Sequence, residues 1–495
     1  MYLDHPVLIV VAPLIAALLT PILGLLRKGL CYPWAVLALC FSTLVSIDTI
    51  IAVIDKGPIH YSLGGWVAPI GIEYVIDHLN AMMLLLVSGI SLGIAIYSYK
   101  SIKRELPGRE TYFYTIYLLQ VTGFLGIVIT GDLFNLYVFL EIASLAGYAL
   151  IAVGEDGAPY ACFRYIVMGT IGACFYLLGI GYLYISTGSL NMADVHQLVQ
   201  NLQGSTVVAT AMAFIMVGLA IKMALFPLHL WLPDAYTKAP STSSALIAPL
   251  MTKISMYVMI RVLFSVFGAT WSFALPLPTI LSWAGVAAIF AGAVMALAQT
   301  DFKRMLCYVV VAEVGYIVGG MGLANATAMK GAVLHILNDA VMTSGLFTIA
   351  GIVMYRRHKH DLADFEGLFR KMPFTMAAFV VAALSIIGVP PTCGFFSKWY
   401  LVLGAIEVRH WAFVAALIGS SLVNVILFFR VIEIGYVFHG SGHDHSHERG
   451  GGAAMSEAPL SMLLPTLAIA AAILVIGLYN QSIVANIIEF AIPRL

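Results

Sequence analysis

A single lysine stands in each of two long apolar runs, Lys222 in GLAIKMALFPLHLWL and Lys253 in IAPLMTKISMYVMIRVL, and Glu141 stands likewise in DLFNLYVFLEIASLAGYAL. An ionisable side chain near the centre of a bilayer costs at least about 2.5–3.5 kcal/mol to insert, so such residues face a bundle interior and serve an ion or proton path. A buried lysine can exchange a proton, where an arginine stays charged at any pH. The chemistry these three positions point to is movement of charge across a membrane.

The elements that must hold them are membrane spans. Of 495 residues, 61% are hydrophobic and 10% charged, with 44 glycines and a mean hydropathy of +0.96. That composition lies outside the soluble globular range and inside the polytopic membrane class. Zero formal charge gives no electrostatic case for nucleic acid. The first apolar stretch begins at Pro6 without a basic region before it and is too long for a signal-peptide core, so it reads as a retained span.

Apolar runs of about 20 residues number fourteen, and the fold class is all-α integral membrane. Two runs, 206–235 and 373–407, exceed one crossing and are interrupted by Pro227 with Pro233 and by Pro390 with Pro391. Each reads as a broken helix, which a membrane tolerates only where the freed backbone faces protein or a water-filled cavity. Broken helices in corresponding places point to two inverted repeats around an ion path. Lys222 lies five residues before Pro227, and Lys398 seven after Pro391.

Basic residues collect in short cytoplasmic loops. Arg27, Lys28, Lys100, Lys103, Arg104, Arg109, Lys303, Arg304, Arg356, Arg357, Lys359, Arg370 and Lys371 all fall on one side of a fourteen-span chain. That side is read as cytoplasmic, which places both termini outside in a cell inner (plasma) membrane. Residues 55–73 (DKGPIHYSLGGWVAPIGIE) read as an external hairpin, and 191–203 as a short interfacial helix.

No phosphate-binding glycine motif is present, and the six cysteines lack the C-x2-C spacing that iron–sulfur or zinc ligation needs. No catalytic site and no bound cofactor are expected in this chain. The tract HGSGHDHSHERGG, with His443, His445 and His447, could hold a metal but reads better as a solvated loop. Asp132 and Asp234 sit at span ends, where helix capping accounts for them.

Together, GDLFNLYVFLEI, GSLNMAD, IKMALFPLHLWLPDAYTKAPSTSSALIAPLMTK, DFKRMLCYVVVAEVGY and GVPPTCGFFSKW resemble the signature stretches of the antiporter-like subunits shared by complex I, membrane-bound hydrogenases and Mrp-type sodium/proton antiporters. Within that superfamily, GGWVAPIGIE, GDLFNLYVFLEI and FFSKW look most like the D-type subunit of the Mrp antiporters and its counterparts in membrane-bound hydrogenases. The resemblance implies a proton relay in a hetero-oligomeric complex. Glu141 and Lys222 match the family's carboxylate–lysine pair, Lys253 the central carrier, His335 a relay histidine, and Lys398 the terminal lysine.

His229 matches a place near the first break, where packing accounts for it equally well. The alternatives for the ions are a static internal pair or a snorkelling lysine. Many relatives read H-x3-H-x3-K along the eleventh span, but this chain reads His335, Asp339, Thr343. Asp339 is expected to replace the missing group, and with Glu313 it could form a carboxylate pair that binds sodium, since hard cations prefer oxygen ligands.

On this reading residues 1–105 hold the N-terminal helices and hairpin, 106–270 the first inverted repeat, 271–440 the second, and 441–495 the histidine-rich loop and last helix. The expected partners are other membrane subunits, protons, sodium ions and lipid. The function is read as the proton-translocating subunit of a Mrp-type cation (Na+)/H+ antiporter, with the proton- or sodium-pumping arm of a redox-driven complex I-like or membrane-bound hydrogenase complex as the alternative. A scaffold without transport is disfavoured, because it would have no use for internal ions.

Overall fold

Every long apolar run forms a helix, because in hydrocarbon each backbone N–H and C=O must find its partner within the segment. The computed structural model describes residues 6–154, 157–269, 271, 276–357, 361–436 and 457–492. The chain opens with α1 (Leu8–Leu26), α2 (Cys31–Lys56), α3 (His78–Glu105), α4 (Glu110–Ile129), α5 (Leu133–Ala152) and α6 (Ala158–Thr187). The expected hairpin lies between α2 and α3, with β1 (Ile59–Ser62) antiparallel to β2 (Glu73–Ile76). The expected interfacial helix is α7 (Met192–Gln200), which buries Met192, Val195 and Val199.

The seventh span is broken as its prolines require, into α8 (Thr206–Lys222) and α9 (Leu232–Lys238). The eighth is α10 (Ser241–Ile260), which widens into a π-helical turn over Arg261–Phe267. Then follow α11 (Leu277–Leu297), α12 (Phe302–Gly322) and α13 (Ala326–Arg357). The twelfth span is again broken, into α14 (Pro373–Ile387) and α15 (Cys393–Glu407), before α16 (Trp411–Tyr436) and α17 (Leu460–Leu478).

Among the described residues, twelve uninterrupted helices are long and apolar enough to cross a membrane, and the two broken spans bring the crossings to fourteen. The breaks fall in the seventh and twelfth spans, an odd number apart, so the chain approaches them from opposite faces, as inverted repeats require.

Burial locates the core. The membrane windows of α12 and α13 are 94% buried, against 33% for α1 and α16. The outer helices instead expose Leu18, Ile22 and Leu25 on α1 and Ile418, Leu422 and Ile426 on α16, a surface suited to lipid tails or partner helices. Without a hydrophobic drive between helices in lipid, small residues permit the closest packing. A Cβ on Gly285 of α11 would lie 2.4 Å from the Cα of Gly319 on α12.

Candidate proton path

Three clusters of buried ionisable side chains run through the interior. In the first, α5 carries Glu141 and α8 ends on Lys222, whose Nζ lies 3.6 Å from Glu141 Oε1 and donates to Ser144 Oγ at 2.6 Å. Lys222 is 2% exposed and Glu141 31%, so the pair opens on its carboxylate side. Just beyond Lys222 the helix stops. The freed carbonyl of Ile221 accepts a hydrogen bond from Trp231 Nε1 at 3.0 Å. His229, in the same break, is buried. Its ring is tilted against Phe226 at 5.3 Å and edge-on to Tyr308 at 6.3 Å.

In the second cluster Lys253 of α10 meets Asp339 of α13, Nζ to Oδ2, at 2.7 Å, both side chains fully buried. Thr343, one turn along α13, donates to the other carboxylate oxygen at 2.7 Å. In the third, Glu313 of α12 holds His335 Nε2 at 2.6 Å and lies 3.9 Å from Lys398 Nζ through its second oxygen. His335 Nδ1 is 2.8 Å from Ser397 Oγ. Lys398 donates to the carbonyl of Ile386 at 2.5 Å and stands over the Tyr316 ring. Its ammonium thus sits on the C-terminal end of α14, where the helix dipole favours a cation.

The structure corrects two expectations. Asp339 and Glu313 do not form a carboxylate pair: each carboxylate closes on a different base, Asp339 on Lys253 and Glu313 on His335 and Lys398. Asp339 Oδ2 and Glu313 Oε2 are thus engaged by Lys253 and His335, while Glu313 Oε1 has no hydrogen-bond partner among the described residues. Asp132 does cap α5, accepting from Asn135 N at 2.7 Å. Asp234 instead bridges Arg164 and Arg304, the latter at 3.3 Å. Local helix chemistry suggested a cap there, and cross-helix cations took the carboxylate.

Sequence reasoning missed the supporting groups Ser144, Ser397 and Tyr316, and a further cluster of Asp77, Asn80, Tyr257 and Arg261. The signal for the last was present, since Arg261 stands near the end of the run that holds Lys253. Burial pushes the Asp77 carboxyl up, but the Arg261 guanidinium and the amides of Asn80 and Leu79 bring it below the usual range. His443, His445 and His447 lie outside the described residues. Among the described residues no group of three or more His, Cys, Asp or Glu side chains could hold a metal ion.

Residues 130–423, which include all three clusters, match the family described as NADH:quinone oxidoreductase/Mrp antiporter, TM. The chain belongs to that family. It is 45% identical, over 99% of its own length and 98% of the other's, to a protein named as the N subunit of NADH-quinone oxidoreductase from Desulforudis audaxviator. It is 33% identical to a protein named as the D subunit of a Na(+)/H(+) antiporter from Alkalihalophilus pseudofirmus, over 82% of this chain and 81% of that one. The fold is similar to a chain of the membrane-bound sulfane sulfur reductase, an archaeal respiratory membrane complex, with a TM-score of 0.88, 30% identity and coverage of 99% and 97%. Members of the NADH:quinone oxidoreductase/Mrp antiporter family therefore match under both names that the sequence resemblance joined, and the chain is a multi-pass membrane protein of that kind.

Proposed function

We propose that this chain is a proton-translocating subunit of a multi-subunit membrane complex, and that Glu141, Lys222, Lys253, Asp339, His335, Glu313 and Lys398 carry the protons. One observation carries the reading: the ion pairs that include Glu141, Lys222, Lys253, Asp339, Glu313, His335 and Lys398, placed on α5, the two broken spans and the helices between those spans. Taking two charges out of water costs several kcal/mol per ion, and a buried pair seldom returns that as stability. Groups that exchange protons give such a row a use. His229, beside the first break, supplies an accessory site for a proton.

Two assemblies use such a subunit. The antiporter reading, a Mrp-type complex exchanging sodium for protons, is supported by the relative named for a Na(+)/H(+) antiporter. The second, the pumping arm of a redox-driven complex, is favoured by the higher identity and near-complete coverage of the relative named for NADH-quinone oxidoreductase. In both, other membrane subunits are partners, lipid covers the exposed helix faces, and redox cofactors belong to the partners. On this reading the side that carries the Lys- and Arg-rich loops is cytoplasmic and both termini lie outside, which the positive-inside rule supports. The division into residues 1–105, 106–270, 271–440 and 441–495 belongs to this proposal, with one break in each middle segment.

The test is to purify the complex from the native membrane, identify the co-purifying subunits, and measure proton flux after reconstitution with Lys253→Ala beside wild type. Sodium-dependent flux without a redox partner, abolished by the substitution, supports the antiporter. Substrate-driven pumping with an iron–sulfur or hydrogenase-type partner supports the redox arm. Flux unchanged by Lys253→Ala removes the relay.

A further inference from the structure

On the face of the protein that carries the β-hairpin, a vestibule lined by Asp77, His196, Gln200, Arg261, Ser265 and Phe490 reaches inward along the end of α10. Its floor is the cluster around Arg261. The guanidinium Nη2 donates to the side-chain oxygens of Asp77 and Asn80, and Nε donates to the Tyr257 hydroxyl at 3.2 Å. That hydroxyl accepts a second hydrogen bond from Asn80 Nδ2 at 2.8 Å and gives its one proton to the carbonyl of Val128 at 2.8 Å. A phenol has one donor and two acceptor positions, so Tyr257 has none left for water or a migrating proton.

Lys253, Tyr257 and Arg261 follow one another at intervals of four and share a face of the helix. Eight residues of helix rise about 12 Å. Between the vestibule and Lys253 stand a permanent cation and a saturated hydroxyl. Asp77 is the more exposed of its pair, 27% against 14% for Arg261, so the carboxylate holds the guanidinium from the water side while Nε is turned inward to Tyr257.

The widened turn is held independently by α7. Gln200 Nε2 donates to the Phe267 carbonyl at 2.9 Å, and His196 Nδ1 lies 3.2 Å from the Val266 carbonyl. Gly268 follows in the left-handed region, with His196 Cε1 only 2.8 Å from where a Cβ would be.

We propose that Arg261 and Tyr257 form a proton barrier that closes the hairpin face to Lys253, so that a proton reaching Lys253 leaves sideways along the Asp339 row. A fixed guanidinium in a narrow passage opposes hydronium and other cations electrostatically, and Tyr257 interrupts the hydrogen-bonded chain that a proton would follow. The barrier rests on the reading of Lys253 as a proton carrier, and it makes Arg261 and Tyr257 coupling residues rather than carriers.

The experiment is passive proton leak in the complex reconstituted into liposomes, with a pH step imposed and neither driving ion nor redox substrate present. Arg261→Met and Tyr257→Phe are each expected to raise the leak by about tenfold, one decade of rate. Adding Lys253→Ala to either is expected to return it to the wild-type level. Tyr257→Phe keeps the ring but removes the oxygen that satisfies Arg261 Nε and Asn80 Nδ2, so water can enter to meet them and complete a proton chain, and this variant carries the test if Arg261→Met fails to assemble. A leak no faster than wild type in the assembled variants overturns the barrier, as does a leak that survives the loss of Lys253. So does a parallel fall of passive and driven flux, which would make these residues conductors. Lys253→Ala alone, read in driven flux, tests the underlying carrier separately.

Discussion

Asp339 and Lys253 are fully buried and 2.7 Å apart, and the consequences of separating them differ from those of removing both. Asp339→Asn leaves an ammonium without its counter-ion in a dry interior, an arrangement that costs about 3–5 kcal/mol. Lys253→Met with Asp339→Leu removes both charges and keeps the volume, so its stability is expected near wild type. Thermal unfolding of the purified complex separates the two, and driven proton flux is expected to be lost in both. Glu141, Lys222, Lys253 and Lys398 were legible in the sequence because a charge in an apolar run is rare enough to stand out. What each one faces was not. Spacing puts His335, Asp339 and Thr343 on one helical face, but periodicity says nothing about the helix opposite. That is why Asp339 pairs with Glu313 on the sequence reading and with Lys253 in the structure.

Among the elements, the two breaks were announced by their prolines, whereas the groups that satisfy them could not be read locally. The carbonyl of Ile221 is met by Trp231 from within the break, and that of Ile386 by Lys398 from the following half-helix. The second break turns on Gly388, with φ of +94°. A Cβ there would lie 3.3 Å from Cδ of Lys398, and a left-handed non-glycine residue costs about 1–2 kcal/mol. Gly388→Ala is therefore expected to lower driven flux by shifting Lys398 off its carbonyl while the complex still assembles, a combination checked by co-purification beside a flux assay. The short helix α9 is fastened separately, by Asp234 between Arg164 and Arg304 and by Lys303 on the carbonyl of Ala239 at 2.6 Å. Three of these four groups come from α6 and α12, whose approach to α9 has no signature in either sequence segment.

For the whole molecule, run length gave the number of crossings, since hydrocarbon thickness fixes how many apolar residues a span needs. The order of burial, with α12 and α13 innermost and α1 and α16 outermost, runs against mean hydropathy, 1.6 and 1.5 for the inner pair and 2.5 and 2.3 for the outer, because the lipid-facing helices must be apolar all round. Which helix each inner span packs against, by contrast, has no counterpart in the sequence. The ion pairs also bear on how the chain is made. Glu141 and Lys222, Lys253 and Asp339, and Glu313 and Lys398 are 81, 86 and 85 residues apart. At roughly 5–20 residues per second of synthesis, each early charge waits several seconds for its counter-ion to be made. During that interval its helix carries an insertion penalty of about 2.5–3.5 kcal/mol. A nascent chain ending near residue 300 holds Lys253 with no Asp339 to receive it. Such a truncation is expected to insert α10 less completely than the same truncation carrying Lys253→Leu, as read by glycosylation or protease protection of the flanking loops. Biogenesis of this protein thus depends on the membrane insertion machinery sheltering Glu141 and then Lys253 until the other half of each pair emerges, and Glu313 with His335 until Lys398 does.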